Sequence, residues 1–142
     1  MVAELRGSVA DTPLILMGYY NPILNYGLEE FSVAGRQAGV DGVIVVDLPH
    51  DEVHPLSAQC APRGIHIVPL LAPTSTGGNI KAACADATGF VYCISLTGVT
   101  GTRDRVSTRG LDLVARVREK TSLPLAVGFG ISQRDHVGDG CR

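Results

Sequence analysis

The sequence predicts an α/β protein made of successive βα units around a parallel sheet, and three observations carry that expectation. Short, unbroken apolar runs recur along the chain, helix-like stretches lie between them, and glycine and polar residues gather directly after each run. A strand covered on both faces reads as a continuous apolar run, whereas a strand with one wet face alternates.

The elements follow in order. Leu14-Ile15-Leu16-Met17 is the first run and leads into Tyr19 to Pro22. Residues 28 to 37 place Leu28, Phe31, Val33 and Ala34 mostly on one side of a helix, which stops at Gly39. Val43-Ile44-Val45-Val46 is the second run, ending in Asp47, Leu48 and Pro49, with a helix expected over 51 to 63. Ile67-Val68-Pro69-Leu70-Leu71 reads as the third strand, Pro73 to Thr76 follow it, and the next helix covers 80 to 87. Phe90-Val91-Tyr92-Cys93-Ile94 is the fourth run, followed by Thr97 to Gly101. A helix over 111 to 120 turns Leu111, Val114, Ala115 and Val117 toward a core and Arg116, Arg118, Glu119 and Lys120 toward solvent. Leu125-Ala126-Val127 is the last run, with Gly128 to Ser132 beyond it.

Counted from Leu14, Val43, Ile67, Val91 and Leu125, the strands lie 29, 24, 24 and 34 residues apart, one βα unit each. Such a series fits a doubly wound open sheet or part of a (β/α)8 barrel. Candidate functional residues follow every strand, which suits a ring of converging loops and so a barrel. A complete barrel takes about 250 residues, so five units amount to a partial one.

Composition narrows the function. With 45% hydrophobic and 18% charged residues the chain can bury a real core, and a net charge of −2 without a basic cluster argues against nucleic acid. No window approaches the roughly 18 apolar residues of a membrane span, and Met1 to Arg6 lack a basic-then-apolar signal, so a cytoplasmic protein is expected. Cys60, Cys84, Cys93 and Cys141 have no CxxC spacing and read as reduced thiols, Cys93 as buried filler. His50 and His54 stand four apart without a third ligand nearby, so no metal is expected.

Chemistry concentrates in two glycine loops, Gly98-Val99-Thr100-Gly101 and Gly128-Phe129-Gly130-Ile131-Ser132, each behind an apolar run. A phosphate needs several N–H donors converging on one spot, and glycine permits both positive φ and close approach. The segment from Thr97 to Gly110 is polar and hinge-rich, as a closing lid would be. Asp47, before Leu-Pro at a strand end, suits a helix N-cap or loop anchor. Tyr92, inside a strand run, suits core packing.

Taken together, Leu16 to Leu24 with Tyr26-Gly27, Ala38 to Pro49, Leu71 to Ser75, Gly98 to Gly101 and Val127 to Ser132 resemble the tryptophan synthase alpha chains, in family order and spacing, from about Val2 to about Val137. The resemblance implies a partial TIM barrel of a lyase that cleaves indole-3-glycerol phosphate to indole and glyceraldehyde 3-phosphate. It implies no cofactor in this chain, because pyridoxal phosphate belongs to the beta chain, its partner in an alpha2-beta2 heterotetramer. Gly101 and Gly130 resemble the phosphate donors, Thr100 the loop threonine that orders the site, Tyr92 and Phe129 the indole walls, and Tyr19 and Ile44 further lining residues. Asn21, Pro22, Asp47, Leu48 and Pro49 resemble the face toward the beta chain. Another phosphate-handling barrel, such as an epimerase, fits less well with the pairing of Tyr19-Tyr20-Asn21-Pro22 and Gly98-Val99-Thr100-Gly101.

The chain also departs from the family. The glutamate and aspartate that move protons in the alpha chains lie on early βα loops without a counterpart here, Glu4 is on the wrong element, and Asp47 cannot take either role. Residues 138–142 read as a divergent tail, as a truncation or frameshift would leave. The expectation is a central barrel piece, residues 1–137, that folds poorly and cleaves nothing by itself, or a non-catalytic module that binds a beta chain.

Overall fold

The structure, a computed structural model, describes residues 1–94 and 108–128. It divides into two compact units, Met1–Pro69 and Leu70–Arg142, and each holds a three-stranded parallel sheet.

The first unit runs α1 (Val2–Ser8), β1 (Ile15–Gly18), α2 (Tyr20–Tyr26), α3 (Leu28–Ala38), β2 (Gly42–Val45), α4 (His54–Cys60) and β3 (His66–Ile67), with strand order β1-β2-β3. Leu16 is opposite Val43, and Val43 opposite Ile67. That face packs on Ile23, Leu56, Cys60 and Ile65 from the helical side. Period-2 pleating sends Met17 and Ile44 to the other face.

Two expectations are corrected here. The helix over 51 to 63 is three pieces, α4 between 3-10 turns at His50–Glu52 and Ala61–Arg63, because Pro55 and Pro62 lack the N–H a continuous helix needs at each turn. His50 and His54 therefore belong to separate elements. Tyr20 to Pro22, expected only as residues following a strand, open the helix α2; Pro22 is tolerated because first-turn N–H groups have no intrahelical acceptor. In α3, Val33 is exposed and Ser32 buried, its hydroxyl donating to the Glu29 carbonyl at 2.8 Å. The helix stops where expected, with Gly39 left-handed at φ 84°.

The far end of this sheet is tied by one side chain. Arg6 of α1 donates to the carbonyls of Gly39, Val9, Ala10 and Thr12 and to the Asp41 carboxylate. Asp41 also accepts the Leu14 N–H at 2.7 Å. That backbone bond first, and the Arg6 guanidinium second, hold the carboxyl below the usual range against the opposing cost of desolvation.

The third apolar run divides at Pro69. Val68 N–H still bonds the Val43 carbonyl at 2.9 Å, Pro69 has no N–H to continue the ladder, and Leu70–Leu71 form β4, which pairs with the next strand instead.

The second unit runs β4, α5 (Gly77–Ala85), β5 (Val91–Ile94), α6 (Thr108–Arg118) and β6 (Leu125–Gly128), in strand order β4-β5-β6. Leu71, Val91, Cys93, Leu125 and Val127 face Ile80, Ala83, Cys84, Leu113 and Val117. Thr76 caps α5 by accepting the Asn79 N–H at 3.2 Å. The apolar stripe of α6 is corrected: Leu113, Val114 and Val117 point inward, while Leu111 is 45% exposed. Arg116 is half-buried, its guanidinium on the carbonyls of Pro73 and Ser75. Burial pushes the thiols of Cys60 and Cys93 up to about 11, so both are protonated and inert at neutral pH, as filler should be.

Candidate functional site

In the first unit β1 and β2 stay in register through Gly18 opposite Val45, and Val46 N–H donates to the Gly18 carbonyl at 2.9 Å. The residues that follow the two strands therefore emerge side by side. After β1 come Tyr19, 62% exposed, and the exposed pair Asn21 and Pro22 in the first turn of α2. After β2 come exposed Asp47 and Pro49, with Leu48 half-buried against the core. Ile44, buried, lies on the sheet face with Met17.

Asp47 has a definite local task. Its Oδ1 accepts the Tyr20 N–H at 2.7 Å, at the start of a helix whose own N-cap residue, Tyr19, supplies no side-chain bond. Of the sequence's readings for Asp47, the helix cap is the one these contacts show, with the cap arriving from 27 residues along the chain.

In the second unit Tyr92 stands opposite Leu70 on one side and Ala126 on the other. Its side chain crosses diagonally over Gly128, where a Cβ would fall inside the phenol. Gly128 thus leaves room for the ring, a role that sequence reasoning missed; a glycine ending a strand beside an aromatic neighbour was the available signal. Thr100, Gly101, Phe129 and Gly130, residues 97 to 107 of the expected Thr97–Gly110 lid and the tail at 138–142 lie outside the described residues, whereas Thr108 to Gly110, expected in that lid, open α6. Among the described residues no group of three or more His, Cys, Asp and Glu could hold a metal ion, and no helix is long and apolar enough to cross a membrane.

A family model described as "Tryptophan synthase alpha chain" matches residues 1–140. The chain belongs to the tryptophan synthase alpha chain family. It is 47% identical over 141 residues to the alpha chain of Chloroflexus aurantiacus, covering 99% of this chain and 53% of that one. Over 136 residues it is 50% identical to the alpha chain of Geobacter sulfurreducens, covering 95% and 51%. Among solved structures, a chain of the tryptophan synthase a2b2 complex of Pyrococcus furiosus superimposes with a TM-score of 0.89 at 39% identity, covering 96% of this chain and 55% of that chain. The chain thus spans about half the length of the curated relatives it matches. Its parallel sheets are those of a partial (β/α)8 barrel, the alpha-chain fold.

Leu16 to Leu24 and Ala38 to Pro49, two of the stretches that carry the alpha-chain resemblance, contain most of β1 and all of β2 and lie side by side through that ladder. In the stretch Leu71 to Ser75, Leu71 ends β4 and Ala72 to Ser75 form the turn after it, closed by Ser75 N–H on the Ala72 carbonyl at 2.8 Å and held by Arg116.

Proposed function

We propose that residues 1–137 are the central part of a single (β/α)8 domain of a tryptophan synthase alpha chain. Such a chain performs retro-aldol cleavage of indole-3-glycerol phosphate in the cytoplasm and passes indole to a beta chain that carries pyridoxal phosphate. The observation that carries this reading is the family match across residues 1–140.

In the reaction the bond from indole C3 to the glycerol carbon breaks, C3 gains a proton, and the glycerol hydroxyl loses one to become the aldehyde of glyceraldehyde 3-phosphate. This chain's contribution is binding. Gly101 and Gly130 donate amide hydrogens to the phosphate, Thr100 orders the closing loop, Tyr92 and Phe129 flank the indole, and Tyr19 and Ile44 complete the lining. The Tyr92 ring over Gly128 supports the wall assignment, since a packed ring presents a fixed apolar face. Asn21, Pro22, Asp47, Leu48 and Pro49 form the beta-chain face, and exposure of all but Leu48 supports that.

Asp47 Oδ1 is held on the Tyr20 N–H, which supports a capping role for this carboxylate over a proton-moving one. That observation favours a second reading for the polypeptide alone, a module that binds a beta chain without cleaving substrate. Indole release by the 142-residue polypeptide, set beside a graft of the same residues into the matching stretch of the Chloroflexus aurantiacus alpha chain, tests both. The graft is expected to cleave indole-3-glycerol phosphate and the polypeptide alone is not; a well-folded graft without turnover overturns the enzyme reading.

A further inference from the structure

Resting on the alpha-chain reading above, we propose that Asp47 is a positioning residue for Tyr19: by capping α2 from the end of the neighbouring strand, its carboxylate fixes where the substrate-side tyrosine stands.

Three observations converge on that link. Tyr19 is the N-cap residue of α2, extended at φ −103° and ψ 156°, and its own side chain makes no cap bond to the helix. The side-chain acceptor there is Asp47 Oδ1, 2.7 Å from Tyr20 N. Both anchors are rigid, because the Val46 to Gly18 bond ties the backbone one residue before each of them. The turn from β1 into α2 is therefore gripped on one side by the sheet ladder and on the other by Asp47. Without the acceptor, Tyr20 N–H turns to water and the N-cap geometry of Tyr19 loses its constraint.

The residue assigned to the partner face thus touches the backbone next to a residue assigned to substrate. An acceptor is what the cap requires, and charge strengthens it. Asn keeps the oxygen; Ala removes it.

The test uses the full-length graft with Asp47→Ala and Asp47→Asn. Hydrogen exchange of the Tyr20, Asn21 and Ile23 amides is measured against that of Val43 to Val45 as an internal control for global stability, with KM and kcat for indole-3-glycerol phosphate. Asp47→Ala is expected to speed α2 exchange about fivefold, the equilibrium equivalent of a lost cap, with β2 exchange unchanged, and to raise KM severalfold with kcat less affected. Asp47→Asn is expected to restore most of both. Unchanged α2 exchange in the Ala variant overturns the proposal, and so does faster exchange with KM unmoved, which leaves the cap purely structural. If the parent graft itself fails to turn over, the functional reading falls and the proposal with it; α2 exchange then reports on the cap alone.

Discussion

Tyr92 and Gly128 show how much one side chain depends on the absence of another. Gly128→Ala puts a methyl group inside the phenol, and the ring must leave its position or the strands must part. Overpacking of this kind costs about 1–3 kcal/mol, and denaturant unfolding of the full-length graft should show that loss. In the first unit, Asp41, just ahead of β2, carries a pH signature. Its folded pKa lies below the unfolded value of about 3.9, so its stabilising contribution is complete above that value and is lost as pH falls through the folded pKa. Asp41→Asn should lower the unfolding midpoint at pH 7, and the gap to the parent should narrow below about pH 4. A gap that widens on acidification contradicts the assignment. Neither contact was readable beforehand. The sequence shows Arg6, Asp41 and Gly128, but the partners are 35 and 36 residues away along the chain.

Elements were legible where local chemistry is strong. The four-residue strands lie within a residue or two of their apolar runs, and Gly39 stops α3 at the expected place. Legibility failed where proline or short length intervened: Pro55 and Pro62 broke one helix, Pro69 divided a strand, and the start of seven-residue α2 was expected only as residues following a strand. Amphipathic phase was also misjudged in α6, because Leu111, Leu113 and Val114 lie close together in sequence and packing alone selects among them. A pair of substitutions separates the two phases. Leu113 is wholly buried, so Leu113→Ala should cost about 2–5 kcal/mol, whereas Leu111→Ala should stay within about 0.5 kcal/mol. Similar losses at both positions would return the helix to the phase expected from sequence.

Over the whole molecule, the candidate site divides between what the strands hold and what the loops bring. Ile44 and Tyr92 stand in parallel ladders, and Tyr19 and Asp47 follow on theirs; the sequence put the first two inside apolar runs and the other two just after strand ends. Their roles were not legible from pattern alone, because a tyrosine beside a strand serves packing or recognition equally well, and the roles proposed above rest on the family resemblance. Sheet edges set the behaviour of the isolated polypeptide. β1 is an edge strand of its sheet and β6 of the other, and exposed Met17, Val46 and Tyr19 lie at one strand end. Open edges and exposed apolar side chains favour association, so the 142-residue polypeptide should sediment as oligomers, and a stable monomer at micromolar concentration would contradict this.

The most direct test of the central claim, that these residues supply the binding half of an alpha-chain barrel and take their acid and base from elsewhere, is indole release from indole-3-glycerol phosphate. The claim predicts turnover by the graft in the Chloroflexus aurantiacus chain and none by the 142 residues alone. Cleavage by the short polypeptide, or a folded graft that releases no indole, would contradict it.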